Sequence, residues 1–230
     1  MIEANQLYKT YSIVEKELGL KGSIKAFFRP KKKQIHAVQN ISLTVQKGEI
    51  IGYIGSNGSG KSTTIKMLTG VLYPDRGSVK INGLTPQKHR TAVNKQIGVL
   101  FGQKSHLRWD IPVLESFILH AKIYDVPDKV FEERLEQLID LLQLGDFIHQ
   151  PVRNLSLGQR VRCEFAAIFI HQPAVVFLDE PTIGLDASVK ETIRSFIRFM
   201  NKEYQTTFLI TSHDMQDIES LCERIFIIDK

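Results

Sequence analysis

A glycine-rich loop between a predicted strand and a predicted helix constrains the fold more than any other feature of this sequence. The apolar run at residues 50–54 leads directly into Gly55-Ser56-Asn57-Gly58-Ser59-Gly60-Lys61-Ser62-Thr63. In the pattern G-x-x-x-x-G-K-[ST], glycines let backbone N–H groups turn inward around phosphates, and the helix N-terminus adds positive charge. A flexible Gly/Ser turn is the alternative, but the flanking strand and helix favour a phosphate-binding loop. Lys61 would then reach the β and γ phosphates, and Ser62 would ligate magnesium.

Two carboxylates follow a second apolar run. Residues 175–178 are all apolar and are followed by Asp179 and Glu180. Such a run predicts a buried parallel strand, and ligands of open α/β sheets bind at the carboxyl ends of the strands. Asp179 suits the magnesium shell, and Glu180 is placed to orient or deprotonate a water that attacks the γ phosphate. For either carboxylate alone, an acidic pair that opens a loop is a plausible alternative.

Hydrophobic periodicity predicts an α/β fold. The predicted strands cover residues 2–7, 36–45, 50–54, 78–81, 97–101, 175–178, 207–211 and 225–228. The predicted helices cover residues 61–68, 113–124, 129–142, 157–171, 188–203 and 215–222. Residues from about 112 to 171 contain only helices in this prediction, which indicates a helical subdomain inserted into a sheet-centred core.

Charge is concentrated in one segment. The chain has 230 residues and a formal net charge of +5. Residues 15–35 hold seven basic and two acidic residues, so the other 209 residues are neutral. Lys21, Lys25 and Arg29 recur every four residues opposite a set of apolar side chains, which predicts an amphipathic helix that ends at Pro30. We expect this basic insertion to lie near an anionic membrane surface or a membrane partner; a solvated loop is the alternative.

Composition excludes several classes of protein. No apolar run approaches the length of about 18 residues that a membrane-spanning helix needs. The two cysteines are far apart in sequence, and the N-terminus lacks a signal pattern, so we expect a reducing, cytosolic setting. The neutral remainder lacks a distributed basic face, so no nucleic-acid partner is expected.

Six further features occur in order and, with the two motifs above, resemble an ATP-binding cassette (ABC) ATPase. They are Tyr11 in Leu7-Tyr8-Lys9-Thr10-Tyr11, Gln103 after residues 97–101, the helical region that follows, Leu155-Ser156-Leu157-Gly158-Gln159 before a helix, Asp186 after the acidic pair and His213 after the next strand. Alone, such a histidine is more often structural, and Tyr8 or a residue of the basic insertion could replace Tyr11 as the aromatic residue. The resemblance covers the whole chain except residues 15–35. Leu157 stands where a glycine is usual, and Ser56 where proline is frequent.

The resemblance implies a P-loop NTPase core with an antiparallel β subdomain and an inserted helical subdomain, residues 104–171, within a single domain of residues 1–230. It implies ATP and Mg²⁺ as ligands. The glycine loop and Asp186 would bind ATP, and Tyr11 would stack on the adenine. The implied catalytic residues are Glu180, His213, Gln103 and Lys61, and the implied magnesium ligands are Ser62, Gln103 and Asp179. In this family two cassettes sandwich two ATP molecules head to tail, so Ser156, Gly158 and Gln159 of one copy would cap the γ phosphate of the other.

The resemblance also implies partners. A single cassette needs a second copy and a separate transmembrane permease, which would place this chain on the cytoplasmic face of the membrane. The amino-acid sequences around Trp109 and Gln159 resemble those of the exporter-type branch more than those of importer cassettes. The other hypotheses are an importer ATPase, a soluble cassette ATPase acting on ribosomes or DNA, and a nucleotide-regulated module without turnover. The chain stops within a predicted core strand, residues 225–229, as a truncated chain would.

Overall fold

The structure is a computed structural model that describes residues 1–14, 32–102 and 105–229. Within these ranges the strands are β1 Ile2–Val14, β2 Lys32–Val45, β3 Ile50–Gly55, β4 Arg76–Ile81, β5 Ile97–Phe101, β6 Val175–Asp179, β7 Thr207–Thr211 and β8 Arg224–Ile228. The α-helices of the same ranges are α1 Lys61–Leu68, α2 Arg90–Asn94, α3 Val113–Ile123, α4 Asp128–Leu142, α5 Leu157–Phe169, α6 Ala187–Tyr204 and α7 Met215–Leu221. A 3₁₀ turn covers Val152–Asn154.

The strands form two sheets. The antiparallel sheet has the order β2-β1-β4, and the parallel sheet has the order β5-β6-β7-β3-β8. Parallel neighbours need crossover connections, which the helices of this chain supply. The carboxyl ends of β3 and β6 therefore lie at the same edge of the parallel sheet. The predicted α/β fold with one antiparallel and one parallel sheet is confirmed.

The parallel sheet is buried on both faces. In β6, Val175 and Phe177 point toward α1 and the antiparallel sheet, while Val176 and Leu178 pack in the core formed with α5 and α6. Burial on both faces explains why this strand is apolar at every position rather than alternating. The same two-sided packing holds the end of β6, and with it Asp179, in a fixed position.

Helix α1 begins inside the glycine loop and packs on β3. Tyr53 is 1% exposed, and its hydroxyl donates a hydrogen bond of 3.2 Å to Thr64 Oγ1. Burial raises the pKa of Tyr53 to about 12, so the hydroxyl remains a donor at neutral pH. This contact joins the strand before the loop to the helix after it.

Several predicted boundaries are wrong at the β1–β2 hairpin. β1 continues to Val14, and β2 begins at Lys32, so residues 32–35 belong to a strand and not to the basic insertion. Register shifts between Ala4 and Thr10 interrupt the alternation of β1, which explains why the apolar pattern predicts a strand that ends at residue 7. The rest of the predicted basic insertion, residues 15–31, lies outside the described residues, and so does the predicted amphipathic helix that ends at Pro30.

Two other expectations differ from the structure. The predicted core strand at residues 225–229 is β8, which is an edge strand, and the Ile227 side chain is 77% exposed. Helix α2 was not predicted because five residues are too few to show a helical period. Within the described ranges, no helix combines the length and the apolar character that a bilayer crossing requires.

Candidate functional site

The glycine loop folds around the Lys61 ammonium. Lys61 is 7% exposed, and its Nζ donates to the carbonyl oxygens of Gly55 at 2.7 Å and Ser56 at 3.1 Å. Gly60 has φ +97°, and a Cβ at this position would lie 2.2 Å from the carbonyl oxygen of Ala37. Only glycine fits there, because both the backbone conformation and the space exclude a side chain. The loop therefore concentrates positive charge at the N-terminus of α1.

Ser59 is a second sign that the loop is built for an anion. Its Oγ is buried and has no hydrogen-bond partner among the described residues. Asn57, Gly58 and Thr63 complete the loop, and Gly58 has φ +79°. Unpaired buried hydroxyls are rare in proteins because they lose their hydrogen bonds to water. A phosphate oxygen would supply the missing partner.

Ser62 and Asp179 meet at the carboxyl edge of the sheet. The Ser62 hydroxyl donates to Asp179 Oδ2 at 3.0 Å, and Thr211 Oγ1 donates to Asp179 Oδ1 at 2.7 Å. A carboxylate and a hydroxyl beside a phosphate loop are the oxygen ligands that Mg²⁺ prefers. Thr211 was not singled out from the sequence, although Asp179 and Thr211 are opposite each other in the parallel register of β6 and β7.

Glu180 and His213 form a close pair next to this carboxylate. His213 Nε2 lies 2.8 Å from Glu180 Oε1, and the side chains are 44% and 28% exposed. Glu180 has a left-handed φ of +54°, and its amide donates to the carbonyl and the hydroxyl of Thr211, both at 3.1 Å. The carboxylate thus remains reachable by water while its backbone is anchored to β7.

The predicted residues at the start of α5 form a separate group. Ser156 is the N-cap of α5 and makes a capping box with Gln159. Gly158 faces Val189, since a Cβ on Gly158 would lie 2.9 Å from Val189 Cγ2, and Asp186 caps α6 by accepting from the Val189 amide at 2.9 Å. The structure therefore brings Asp186 to the start of α5. No described hydrogen bond joins this group to the glycine loop of the same chain.

Tyr11 lies in the long hairpin. It is opposite Ile35 in the β1–β2 ladder and is 38% exposed. Ala37 lies two residues after Ile35 in β2, which corresponds to about 7 Å along the strand. The carbonyl of Ala37 approaches Gly60. Tyr11 therefore lies near the glycine loop with its ring partly open to solvent. Gln103 lies outside the described residues.

A cleft of about 440 Å³ extends from the carboxyl end of β6 to α5. Its lining includes Asp179, Glu180, Leu157 and Glu164. Glu164 is 6% exposed. It accepts hydrogen bonds from the Ser105 hydroxyl and from the His106 amide at 2.8 Å. Sequence patterns gave no signal for Glu164, which ties the segment beginning at Ser105 to α5.

A buried lysine in a glycine loop, beside a strand that ends in Asp-Glu at the carboxyl edge of a parallel sheet, defines a P-loop nucleoside triphosphatase. The family model for ABC transporters matches residues 38–183, which is more than half of the chain. The chain belongs to the ABC transporter ATPase family. It is an ATP-binding subunit of that family and an ATPase.

Curated relatives and a solved structure agree with this membership. The chain is 33% identical over 201 residues to the ABC transporter ATP-binding protein NatA of Bacillus subtilis, covering 87% of this chain and 81% of NatA. It is 32% identical to the methionine import ATP-binding protein MetN 2 of Enterococcus faecalis, covering 90% of this chain and 61% of that protein. It is 33% identical to the Nod factor export ATP-binding protein I of Ralstonia nicotianae, covering 84% of this chain and 59% of that protein. The ATP-binding cassette MJ0796, described as a dimer bound to ADP and Pi after hydrolysis, has the same fold, with a TM-score of 0.81, 23% identity and coverage of 100% and 94% of the two chains.

Proposed function

We propose that this chain hydrolyses MgATP as one half of a head-to-tail dimer and drives export through a separate transmembrane subunit. The observation that carries the proposal is the Glu180–His213 pair, 2.8 Å apart, beside the Ser62–Asp179 contact. A carboxylate at this place can orient a water for attack on the γ phosphate, and the histidine can contact the same phosphate. This combination serves turnover, whereas a module that only binds nucleotide has no need of it.

The binding roles follow from the loop. Lys61 would exchange its bonds to loop carbonyls for bonds to the β and γ phosphates, and the backbone N–H groups from Asn57 to Thr63 would hold the remaining phosphate oxygens. Ser62 and Asp179 would hold Mg²⁺, with Gln103 as a third ligand. Bound Mg²⁺ would neutralise charge on the phosphates. Tyr11 would stack on the adenine ring, because its exposed face lies near the loop.

The second copy would complete the site. The first intrahelical hydrogen bond of α5 runs from the Arg160 amide to the Ser156 carbonyl, so the amides of Leu157 and Gly158 precede it and are oriented out of the helix N-terminus. Such amides bind anions. Within one chain this group is not bonded to the glycine loop, and Ser156 is exposed. A partner's γ phosphate is the ligand that fits, and the description of the MJ0796 structure as dimeric is in line with a second copy.

We further propose that residues 1–230 form one cassette, with residues 104–171 as its helical subdomain, and that the chain is peripheral at the cytoplasmic face of the membrane. Trp109, which is 54% exposed, and the adjacent cleft would face the permease. The proposed direction, export, is supported by the resemblance of the sequence near Trp109 to exporter-type cassettes and by the similarity to a Nod factor export protein. Import remains the second candidate, because a methionine import protein is about equally similar. Reconstitution with a permease encoded beside this chain, followed by measurement of the direction of transport, separates the two.

The test of the ATPase site is Glu180→Gln. This change keeps the size of the side chain and removes the base, so we expect phosphate release to fall by about 100-fold or more while ATP binding persists. The variant should accumulate as an ATP-bound dimer in size-exclusion chromatography. Glu219→Gln, at an exposed carboxylate of α7, is the matched control and should behave as wild type. Wild-type phosphate release by Glu180→Gln would refute the assignment.

A further inference from the structure

A buried carboxylate lies behind the Glu180–His213 pair. Asp217 of α7 is 2% exposed, and its Oδ1 accepts hydrogen bonds from Arg194 of α6, at 2.8 Å from Nε and 2.5 Å from Nη2. A buried charge is tolerated only where it is paired and fully hydrogen-bonded. The pairing with Arg194 satisfies one oxygen and leaves the other for a different purpose.

The second oxygen joins the two loops that carry the hydrolytic pair. Asp217 Oδ2 accepts a hydrogen bond from the Thr182 hydroxyl and has Ser212 Oγ at 3.5 Å. Thr182 is two residues after Glu180, and Ser212 directly precedes His213. Thr182 and Ser212 are 3% and 6% exposed, so water does not replace these contacts.

The loop after β6 needs such a restraint. Glu180 adopts φ +54°, a conformation that costs a non-glycine residue free energy and persists only where neighbouring contacts hold it. Thr211 holds the Glu180 amide on one side. On the other side, Thr182 donates a buried hydrogen bond to Asp217. Lys190 and Asp214, 2.6 Å apart, join the same two helices at the N-terminus of α7.

We propose that Asp217, with its charge held by Arg194, is a positioning residue that sets the Glu180–His213 distance through Thr182 and Ser212. This inference rests on the proposed function, because it assigns a role in hydrolysis. Loss of the Thr182 contact releases the loop after β6, so Glu180 spends less time in its working position. ATP binding, which depends on the glycine loop, is unaffected. The signature is therefore a lower kcat at an unchanged KM.

The test compares Thr182→Val with Thr182→Ser. Valine has nearly the shape of threonine and removes only the hydroxyl, whereas serine keeps the hydroxyl and loses a methyl group. We measure phosphate release by the purified chain over a range of MgATP concentrations, at a temperature well below the unfolding midpoint of each variant. Thr182→Val is expected to lower kcat about tenfold with KM within about twofold of wild type. Thr182→Ser is expected to retain kcat within about threefold of wild type.

Two further variants separate the possible causes. Glu191→Gln removes a partner of Arg194 that is 57% exposed and leaves the hydrogen bonds of Asp217 intact, so its kcat should equal that of wild type. The inference is overturned if Thr182→Val keeps wild-type kcat, if it raises KM alone, or if Thr182→Ser is as slow as Thr182→Val. If Thr182→Val has no effect while Glu180→Gln abolishes hydrolysis, the proposed function stands without this inference. If Glu180→Gln itself hydrolyses ATP normally, the proposed function fails.

Discussion

Glu180 combines three requirements in a single residue. It must directly follow the buried strand β6 and turn the chain with a left-handed φ of +54°. It must also place its carboxylate next to His213, with a side chain that is 28% exposed to solvent. Glycine would satisfy the backbone at lower cost but would have no carboxylate. Strain at this position is the kind that proteins retain at functional sites and offset elsewhere. The two hydrogen bonds from the Glu180 amide to Thr211 are part of that compensation.

Gly60 is the residue of the loop at which substitution should be least tolerated. Gly60→Ala combines a φ of +97° with a Cβ 2.2 Å from the Ala37 carbonyl oxygen, so the loop or β2 must move. We expect ATP binding at least tenfold weaker and the free energy of unfolding lower by about 3 kcal/mol, measured by calorimetric titration and urea unfolding.

Gly83→Ala is the matched control for this substitution. Gly83 has a similar φ of +78° but nothing within 4 Å of an added Cβ. The control should therefore show the conformational cost alone, about 1 kcal/mol, with normal ATP binding. Equal losses of stability in the two variants would mean that the contact with β2 is unimportant.

At the scale of elements, the sequence predicted the parts of the site that lie on continuous motifs. The strand–loop–helix unit around Lys61 and the strand that ends at Asp179 could be read directly, because each motif is local in the chain. Thr211 could have been found from the parallel neighbour of that strand. The Arg194–Asp217 pair could not, because its two members belong to different helices and only tertiary packing brings them together. Similarly, the bulges in β1 concealed half of that strand from an alternation-based prediction.

The junction between α3, α5 and β5 contains a histidine whose charge is suppressed. The His171 ring stacks on Tyr124 with centroids 3.9 Å apart, and its Nε2 donates to the Ile97 carbonyl at 3.0 Å. Its Nδ1 is buried and has no partner among the described residues. Burial lowers the pKa of His171 to about 4. Burial also lowers the pKa of the nearby His120, so burial favours the neutral imidazole at both positions.

This junction predicts acid sensitivity. Because the pKa of His171 is about 4 in the folded chain and about 6.5 in the unfolded chain, the unfolded chain binds the proton more tightly. The stabilisation is complete above pH 6.5 and is lost as the pH falls toward 4, by about 2 kcal/mol at pH 5. In urea unfolding at several pH values, His171→Phe should flatten this dependence while keeping the contact with Tyr124. His149→Gln, at an exposed histidine, should keep the wild-type slope; an equal flattening there would contradict the assignment.

At the scale of the whole molecule, the net positive charge belongs to one segment, and the rest of the chain carries no net charge. Residues 15–35 account for the entire net charge of +5, and residues 15–31 of this segment connect β1 to β2 in the sequence. Lys61, Asp179 and Glu180 lie in other parts of the sequence. The catalytic apparatus and the basic segment can therefore be altered separately.

The basic segment is expected to attach the chain to an anionic surface without affecting hydrolysis. Replacing Lys21, Lys25 and Arg29 with Gln removes three charges, each worth about 1 kcal/mol near an anionic membrane. Binding to phosphatidylserine vesicles at about 0.1 M salt should weaken by about 100-fold, while kcat for ATP hydrolysis stays constant. The matched control replaces Lys80, Lys88 and Lys202, which are exposed and lie outside the segment, with Gln. This control should weaken vesicle binding far less, because charges that are more than a Debye length of about 10 Å from the membrane are screened from it. Equal effects of the two triple variants would mean that the attraction depends on net charge alone, and unchanged binding by the first would remove the membrane role and leave the permease as the partner to test.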